Sequence, residues 1–130
     1  MIVPDASAVL ELLLGTLAAD DIAARLLDPA ETLHVPHLLD VEVTQALRRY
    51  AQSGDLAPLQ AERALADLLD LPLHRHAHDV LLPRVWELRR SITAYDAMYV
   101  ALAEGLDAAL ITRDRRLARA HGHRARIELH

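Results

Sequence analysis

Short apolar runs alternate along this chain with stretches of helical periodicity. The first run, MIV (1–3), is followed after Pro4 by an acid, Asp5, and the pattern turns apolar again at once. SAVLELLL (7–14) reads as a helix ending at Gly15, with Ser7 as its expected cap. DDIAARLLD (20–28) is a second helix, stopped by Pro29, and TLHVP (32–36) a strand. PHLLDVEVTQALRRYAQSG (36–54) predicts a long helix terminated by Gly54, and LAPLQAERALADLLDL (56–71) another. LPLHRH (71–76) is a weak strand, followed by the helices DVLLPRVWELRR (79–90) and TAYDAMYVALAEGL (93–106). AALIT (108–112) is a strand, DRRLARAH (114–121) a short helix and RARIEL (124–129) the last strand. Strands separated by helices imply βαβ units and a parallel sheet covered on both faces. In such sheets ligands bind beyond the carboxyl ends of the strands, which is where Asp5 falls.

Three further acids share that character. Asp114 lies just past the apolar strand AALIT, after the polar Thr112, and either caps the following helix or faces a ligand. Glu42 interrupts the mainly apolar helical row Leu38, Glu42, Ala46, Tyr50; its structural alternative is a pairing with Arg49 or a more distant arginine. Asp96 follows Thr93 in a T-x-x-D capping pattern. The helix it opens is apolar nearly all round and therefore buried. In a doubly wound sheet all four acids can meet at one place, and close carboxylates persist where a divalent cation offsets their repulsion. All-oxygen ligation suits Mg²⁺ or Mn²⁺ rather than Zn²⁺.

Composition narrows the choice. At 130 residues, 52% hydrophobic, the chain has the size of one domain over 1–130, with a core of Leu, Ala, Val and Ile because Phe is absent. No apolar run is long enough for a membrane span, no signal-peptide pattern opens the sequence, and the lack of Cys fits a cytoplasmic protein. The net charge of -5 is the wrong sign for gripping nucleic acid by bulk charge. All 14 basic residues are Arg. The absence of Lys argues against phosphotransfer proteins of receiver or haloacid-dehalogenase type, which also place acids at strand ends but rely on a Lys near the phosphoryl group.

The stretches MIVPDASAVLELL, VPHLLDVEVTQALRR, VWELRRSITAYDAMYVALAE and LITRDRRLA run from one end of the chain to the other. Together they resemble the PIN-domain family, specifically VapC-type toxins of bacterial toxin–antitoxin modules. TAYDAMYVALAE followed at short range by LITRD is the most specific part. The family's acids fall on Asp5, Glu42, Asp96 and Asp114, and Ser7 and Thr112 match its polar positions beside the metal. Pro4 stands where a β-branched residue is usual, and Gln45 where Asn is common. The resemblance implies a three-layer α/β/α fold around a five-stranded parallel sheet, a homodimer, and Mg²⁺-dependent endoribonuclease activity. It implies direct metal binding by Asp5 and Asp96, with Glu42 and Asp114 acting through water or a second ion. It also implies a VapB-type antitoxin that blocks the site. A PIN-like module that binds RNA or a partner without cleaving is the alternative.

The remaining polar residues are weighed on their surroundings. Arg48, Arg49, Arg89, Arg90, Arg113, Arg115 and Arg116 lie near the acid-bearing elements and are candidate RNA phosphate contacts. His74, His76 and His78 alternate as on one strand face, and His121 and His123 flank Gly122; both groups are expected to be solvated. Trp86 and Tyr99 sit in helical apolar stripes and are expected in the core.

Overall fold

The computed structural model describes residues 1–16 and 19–130. Among them the chain forms β1 (Ile2–Pro4), α1 (Ala6–Leu14), α2 (Ala19–Leu26), β2 (Leu33–Pro36), α3 (Leu38–Ser53) and α4 (Pro58–Asp70). It continues through β3 (Leu73–His76), α5 (Leu82–Glu87), a 3₁₀ turn (Leu88–Arg90), α6 (Ala94–Leu106), β4 (Ala109–Thr112), α7 (Arg115–Ala118) and β5 (Ile127–Leu129). The five strands make one sheet in the order β3-β2-β1-β4-β5, with every pairing parallel. This is the three-layer α/β/α architecture expected from the sequence.

Each strand run of the sequence is recovered, and the helices differ mainly in their ends. Asp5, rather than Ser7, caps α1: its carboxylate accepts the N–H of Ala8 at 3.0 Å. A strand ending at Pro4 leaves Asp5 the extended residue before the first turn, so Ser7 is already helical. Gly15 (φ 61°) and Gly54 (φ 85°) close α1 and α3 in the left-handed region, which glycine enters without a Cβ penalty. The helix expected from Asp79 starts only at Leu82, just before Pro83, and tightens to 3₁₀ at Leu88. Pro4 is accommodated in the central strand because it is the last residue there. The next N–H, that of Asp5, donates to Ile111 O at 3.0 Å and continues the sheet.

Alternation along the strands divides the core. Ile2, Leu33, Ala109 and Ile111 pack with Ala8 of α1 and with Ile22 and Leu26 of α2. Val3, Val35 and Leu110 join the larger cluster with α3, α4, α5 and α6. Residues 97–103 of α6 are buried without interruption, as its all-round apolar sequence requires. That burial draws Asp96, in the first turn of α6, to a half-buried position.

The outer end of α6 is clamped by charge. Glu104 accepts Arg84 Nε at 2.7 Å, Arg84 Nη2 at 3.0 Å and the Arg124 N–H at 2.7 Å. The Arg84 guanidinium holds the Glu104 carboxyl below its ordinary range.

Two outcomes follow. Leu110→Ala, at a fully buried position, is expected to cost about 2–5 kcal/mol in urea denaturation, whereas Leu69→Ala, on the exposed side of α4, stays within about 0.5 kcal/mol. Glu104 has a depressed folded pKa, so its contribution is fully present above the unfolded value of 4.5 and is lost as pH falls through the lower folded value. The difference in urea midpoint between wild type and Glu104→Gln should therefore shrink on acidification below that point. A difference that grows there would rule the clamp out.

Candidate active site

The strand order reverses between β1 and β4: β2 and β3 extend one way from β1, and β5 lies beyond β4 on the other side. Such a switch point leaves a crevice at the carboxyl ends of the two strands. Asp5 follows β1, and Thr112 to Asp114 follow the core of β4. Asp5 is 6% exposed. Its Oδ1 accepts Ser7 Oγ at 2.6 Å as well as the Ala8 N–H, and its Oδ2 accepts the hydroxyl of fully buried Thr112. Ser7 Oγ accepts the Arg113 N–H at 2.8 Å, and Thr112 Oγ1 accepts the Asp114 N–H at 2.9 Å. These bonds tie the ends of the two central strands together through one carboxylate. Ser7 and Thr112 thus stand beside Asp5.

The other three acids reach this place from different elements. Glu42 projects from α3 and accepts the phenol of Tyr99, which is 2% exposed in α6. The alternative pairing of Glu42 with Arg49 is not made. Asp96 lies in the first turn of α6, where Thr93 caps the helix by accepting the Asp96 N–H at 3.2 Å. Asp114 caps α7, accepting the N–H groups of Arg116 and Leu117 at 2.7 and 3.4 Å. The capping reading of Asp114 is therefore met, and its charge is also felt by Asp96.

The carboxylates are coupled by charge. Asp5 titrates above its ordinary value because burial penalises its anion, although Ser7, Thr112 and the Ala8 amide favour it. Burial also raises Glu42, aided by the charges of Asp96 and Asp5 and opposed by Tyr99. Asp96 is raised by burial and by Asp114 and Asp5, against Thr93 and Arg116. Among the described residues no arginine or histidine forms an ion pair with Asp5, Glu42 or Asp96. The four acids do not line one hollow. Glu42 lines a cleft of about 970 Å³ with Ser7, Glu11, Gln45, Arg49 and Arg113; Asp96 lines a second of about 480 Å³ with Arg89, Arg90 and Arg116. Among the described residues no three His, Cys, Asp or Glu side chains are gathered into a ready cage for an ion. The donor chemistry still fits a hard cation: oxygen atoms alone, partly desolvated, repelling one another and lacking a compensating base.

Several residues stand differently from their expectation. Trp86 is 68% exposed, not core, because the α5 row that packs inward is Leu81, Val85 and Leu88. Tyr99 is core as expected, but its hydroxyl serves the site. Arg113 is paired with Glu11 and Arg116 lies 3.9 Å from Asp114, while Arg48 and Arg115 line neither hollow. His74 and His76 lie on the edge strand β3 as expected, with His76 Nε2 2.9 Å from His34 Nδ1. His123 departs: after the left-handed Gly122 both its ring nitrogens are buried and lack a partner among the described residues. Glu11 was not singled out. It is buried, its Oε2 meets Arg113, and its Oε1 has no partner among the described residues. An acid inside the apolar run SAVLELLL, four residues after Ser7, was the available signal.

Comparison with known proteins agrees with the fold. The PIN domain family profile matches residues 2–122. The VapC ribonuclease Mb0985 of Mycobacterium bovis is 48% identical over 118 residues, covering 91% of this chain and 89% of that one. The crystal structure of PAE2754 from Pyrobaculum aerophilum superposes with a TM-score of 0.73 at 26% identity, covering 97% of this chain and 81% of that one. VapBC2 from Rickettsia felis, bound to a DNA fragment from its promoter, gives 0.70 at 15% identity, covering 99% and 98%.

Thr112→Val tests the tie between the strand ends. The substitution keeps the shape but strands Asp5 Oδ2 and the Asp114 N–H. It is expected to lower stability by about 1–3 kcal/mol for each stranded buried group, measured by urea denaturation. A neutral substitution would show that the tie does not hold the strands.

Proposed function

This chain belongs to the PIN-domain family, and from that premise we propose that it is a VapC-type endoribonuclease, the toxin of a toxin–antitoxin pair. The observation that carries the reading is the set of carboxylates on buried Asp5 and half-buried Glu42 and Asp96, which burial holds above the ordinary carboxylate range and which have no basic side chain paired with them. Support for the substrate comes from relatives named as VapC ribonucleases, near half identical over most of the chain.

In this reading Asp5 and Asp96 hold a divalent cation, Mg²⁺ or Mn²⁺, and Glu42 and Asp114 complete its surroundings through water or a second ion. When bound, such an ion polarises a phosphoryl oxygen and lowers the pKa of a coordinated water. The chain's own contribution is position and proton handling. Ser7 and Thr112 fix both oxygens of Asp5, so that carboxylate cannot turn away. Tyr99 fixes Glu42 Oε2, and the raised pKa of Glu42 suits it to accept a proton from the attacking water. Thr93 and the buried body of α6 hold Asp96 at the second hollow. No side chain is asked to act as a nucleophile.

The partner in this reading is a VapB-type antitoxin, whose cationic side chain would satisfy the same acids by charge-assisted hydrogen bonds. The VapBC2 assembly supports that a chain of this fold is found with an antitoxin. A homodimer, a single domain over 1–130 and a cytoplasmic location belong to the same proposal. Among the described residues no helix is long and apolar enough to cross a membrane.

RNA cleavage should fall by at least about 100-fold in EDTA and in Asp96→Asn, the range lost when a charge-stabilising group is removed from a site. End-mapping of the cleaved RNA gives the readout. Near-normal cleavage by pure Asp96→Asn protein would defeat the metal-nuclease reading. RNA binding without any metal-dependent cleavage by the wild type would favour the silent binding module.

A further inference from the structure

The chain contains one tryptophan, and the fold places it on the surface. Trp86 is 68% exposed on α5, yet its ring is held. The Arg89 guanidinium lies over the indole, 4.6 Å from Cζ to the ring centroid, and Arg89 Nη1 donates to Trp86 O at 2.8 Å. One ring face is thus backed by a fixed cation, which stiffens the side chain.

The same arginine borders the hollow of about 480 Å³ that contains Asp96. Arg89, Arg90 and Arg116 line that hollow with Ser91 and Thr93. Neither Arg89 nor Arg90 makes an ion pair among the described residues, and the Arg116 side chain, 94% exposed, reaches Asp114 only at 3.9 Å. A protein of net charge -5 therefore presents uncompensated positive charge next to its acid cluster. Exposed guanidinium groups favour phosphate, and a rigid, cation-backed indole favours a flat π-face. An apolar protein partner would find these arginines costly to bury. A single strand of RNA supplies both the anion and the ring.

We propose that Trp86, backed by Arg89, stacks an unpaired nucleobase, and that Arg90 and Arg116 hold the phosphate between that base and Asp96. The proposal rests on the ribonuclease reading for the identity of its ligand. It adds a subsite that orders the strand from the scissile phosphate toward α5. Recognition by stacking tolerates any base, so the subsite selects for unpaired RNA rather than for a sequence.

The lone tryptophan makes the test direct. In EDTA, where cleavage is suppressed, a fluorescein-labelled oligoadenylate should quench Trp86 emission in parallel with its own rise in anisotropy. Inorganic polyphosphate should compete for the arginines without quenching. Trp86→Ala should weaken oligoadenylate binding about tenfold, equal to about 1.4 kcal/mol and within the range for one stacked base. Trp86→Phe should recover part of the loss, and Arg90→Ala should weaken oligoadenylate and polyphosphate alike. Full-strength strand binding by Trp86→Ala, bound strand with unmoved Trp86 emission, or no strand binding at all would overturn the proposal. So would a Trp86→Ala protein that sediments as a smaller species at unchanged strand affinity, since Trp86 would then lie between two copies of the chain. Metal-dependent cleavage with unmoved emission removes the subsite alone. Quenching without metal-dependent cleavage removes the nuclease reading alone.

Discussion

One buried carboxylate carries the architecture of the site. Asp5 sits where a central strand ends and a helix begins, and its anion is costly there unless donors surround it. Ser7, Thr112 and the first turn of α1 supply them. Because Thr112 comes from β4, the bonds that satisfy Asp5 also join the two strands at which the sheet changes direction. Thr112 in turn orients Asp114, and Ser7 orients the backbone of Arg113. In the proposed reading, stability and chemistry therefore draw on the same group. Asp5 is at once a helix cap, a clasp between strands and the centre of a negative field.

The field is completed from outside the sheet. Burial of α6 along residues 97–103 brings Asp96 and Tyr99 inward together, one carrying charge and the other placing a phenol on Glu42 of α3. Three elements distant in sequence thus share one electrostatic problem. Glu42 and Asp96 both feel the charge of Asp5, and among the described residues the acids do not close into a cage.

Much of this was legible in the sequence, for identifiable reasons. Asp5 and Asp114 could be placed because an acid directly after a short apolar run has few places to go in a parallel sheet. The partial burial of Asp96 could be placed because seven consecutive apolar residues leave a helix no wet side. Trp86 misled because its row on α5 is apolar, yet the helix is only six residues long before it tightens. So short a helix buries one narrow stripe, and Leu81, Val85 and Leu88 fill it. Ser7 misled as a cap because the helix starts at Ala6, directly after the extended Asp5, so Ser7 already lies in its first turn. The Glu11–Arg113 and Glu42–Tyr99 pairings span 102 and 57 positions, and local periodicity carries no record of contacts at that range.

The backbone gives the site an unusual mechanical property. The N–H of Asp5 extends the ladder between β1 and β4 by bonding Ile111 O, whereas Pro4 lacks its donor on the opposite side of the strand, toward β2. The acid at the heart of the site is therefore pinned by its backbone as well as by its side chain. It cannot swing outward without parting the two innermost strands. Local opening, by which many proteins loosen a binding site at small expense, is closed to this residue. Its amide proton should exchange with solvent on the timescale of global unfolding rather than of loop fluctuation. Any plasticity the molecule shows towards its ligands must come from the helices and arginines around Asp5.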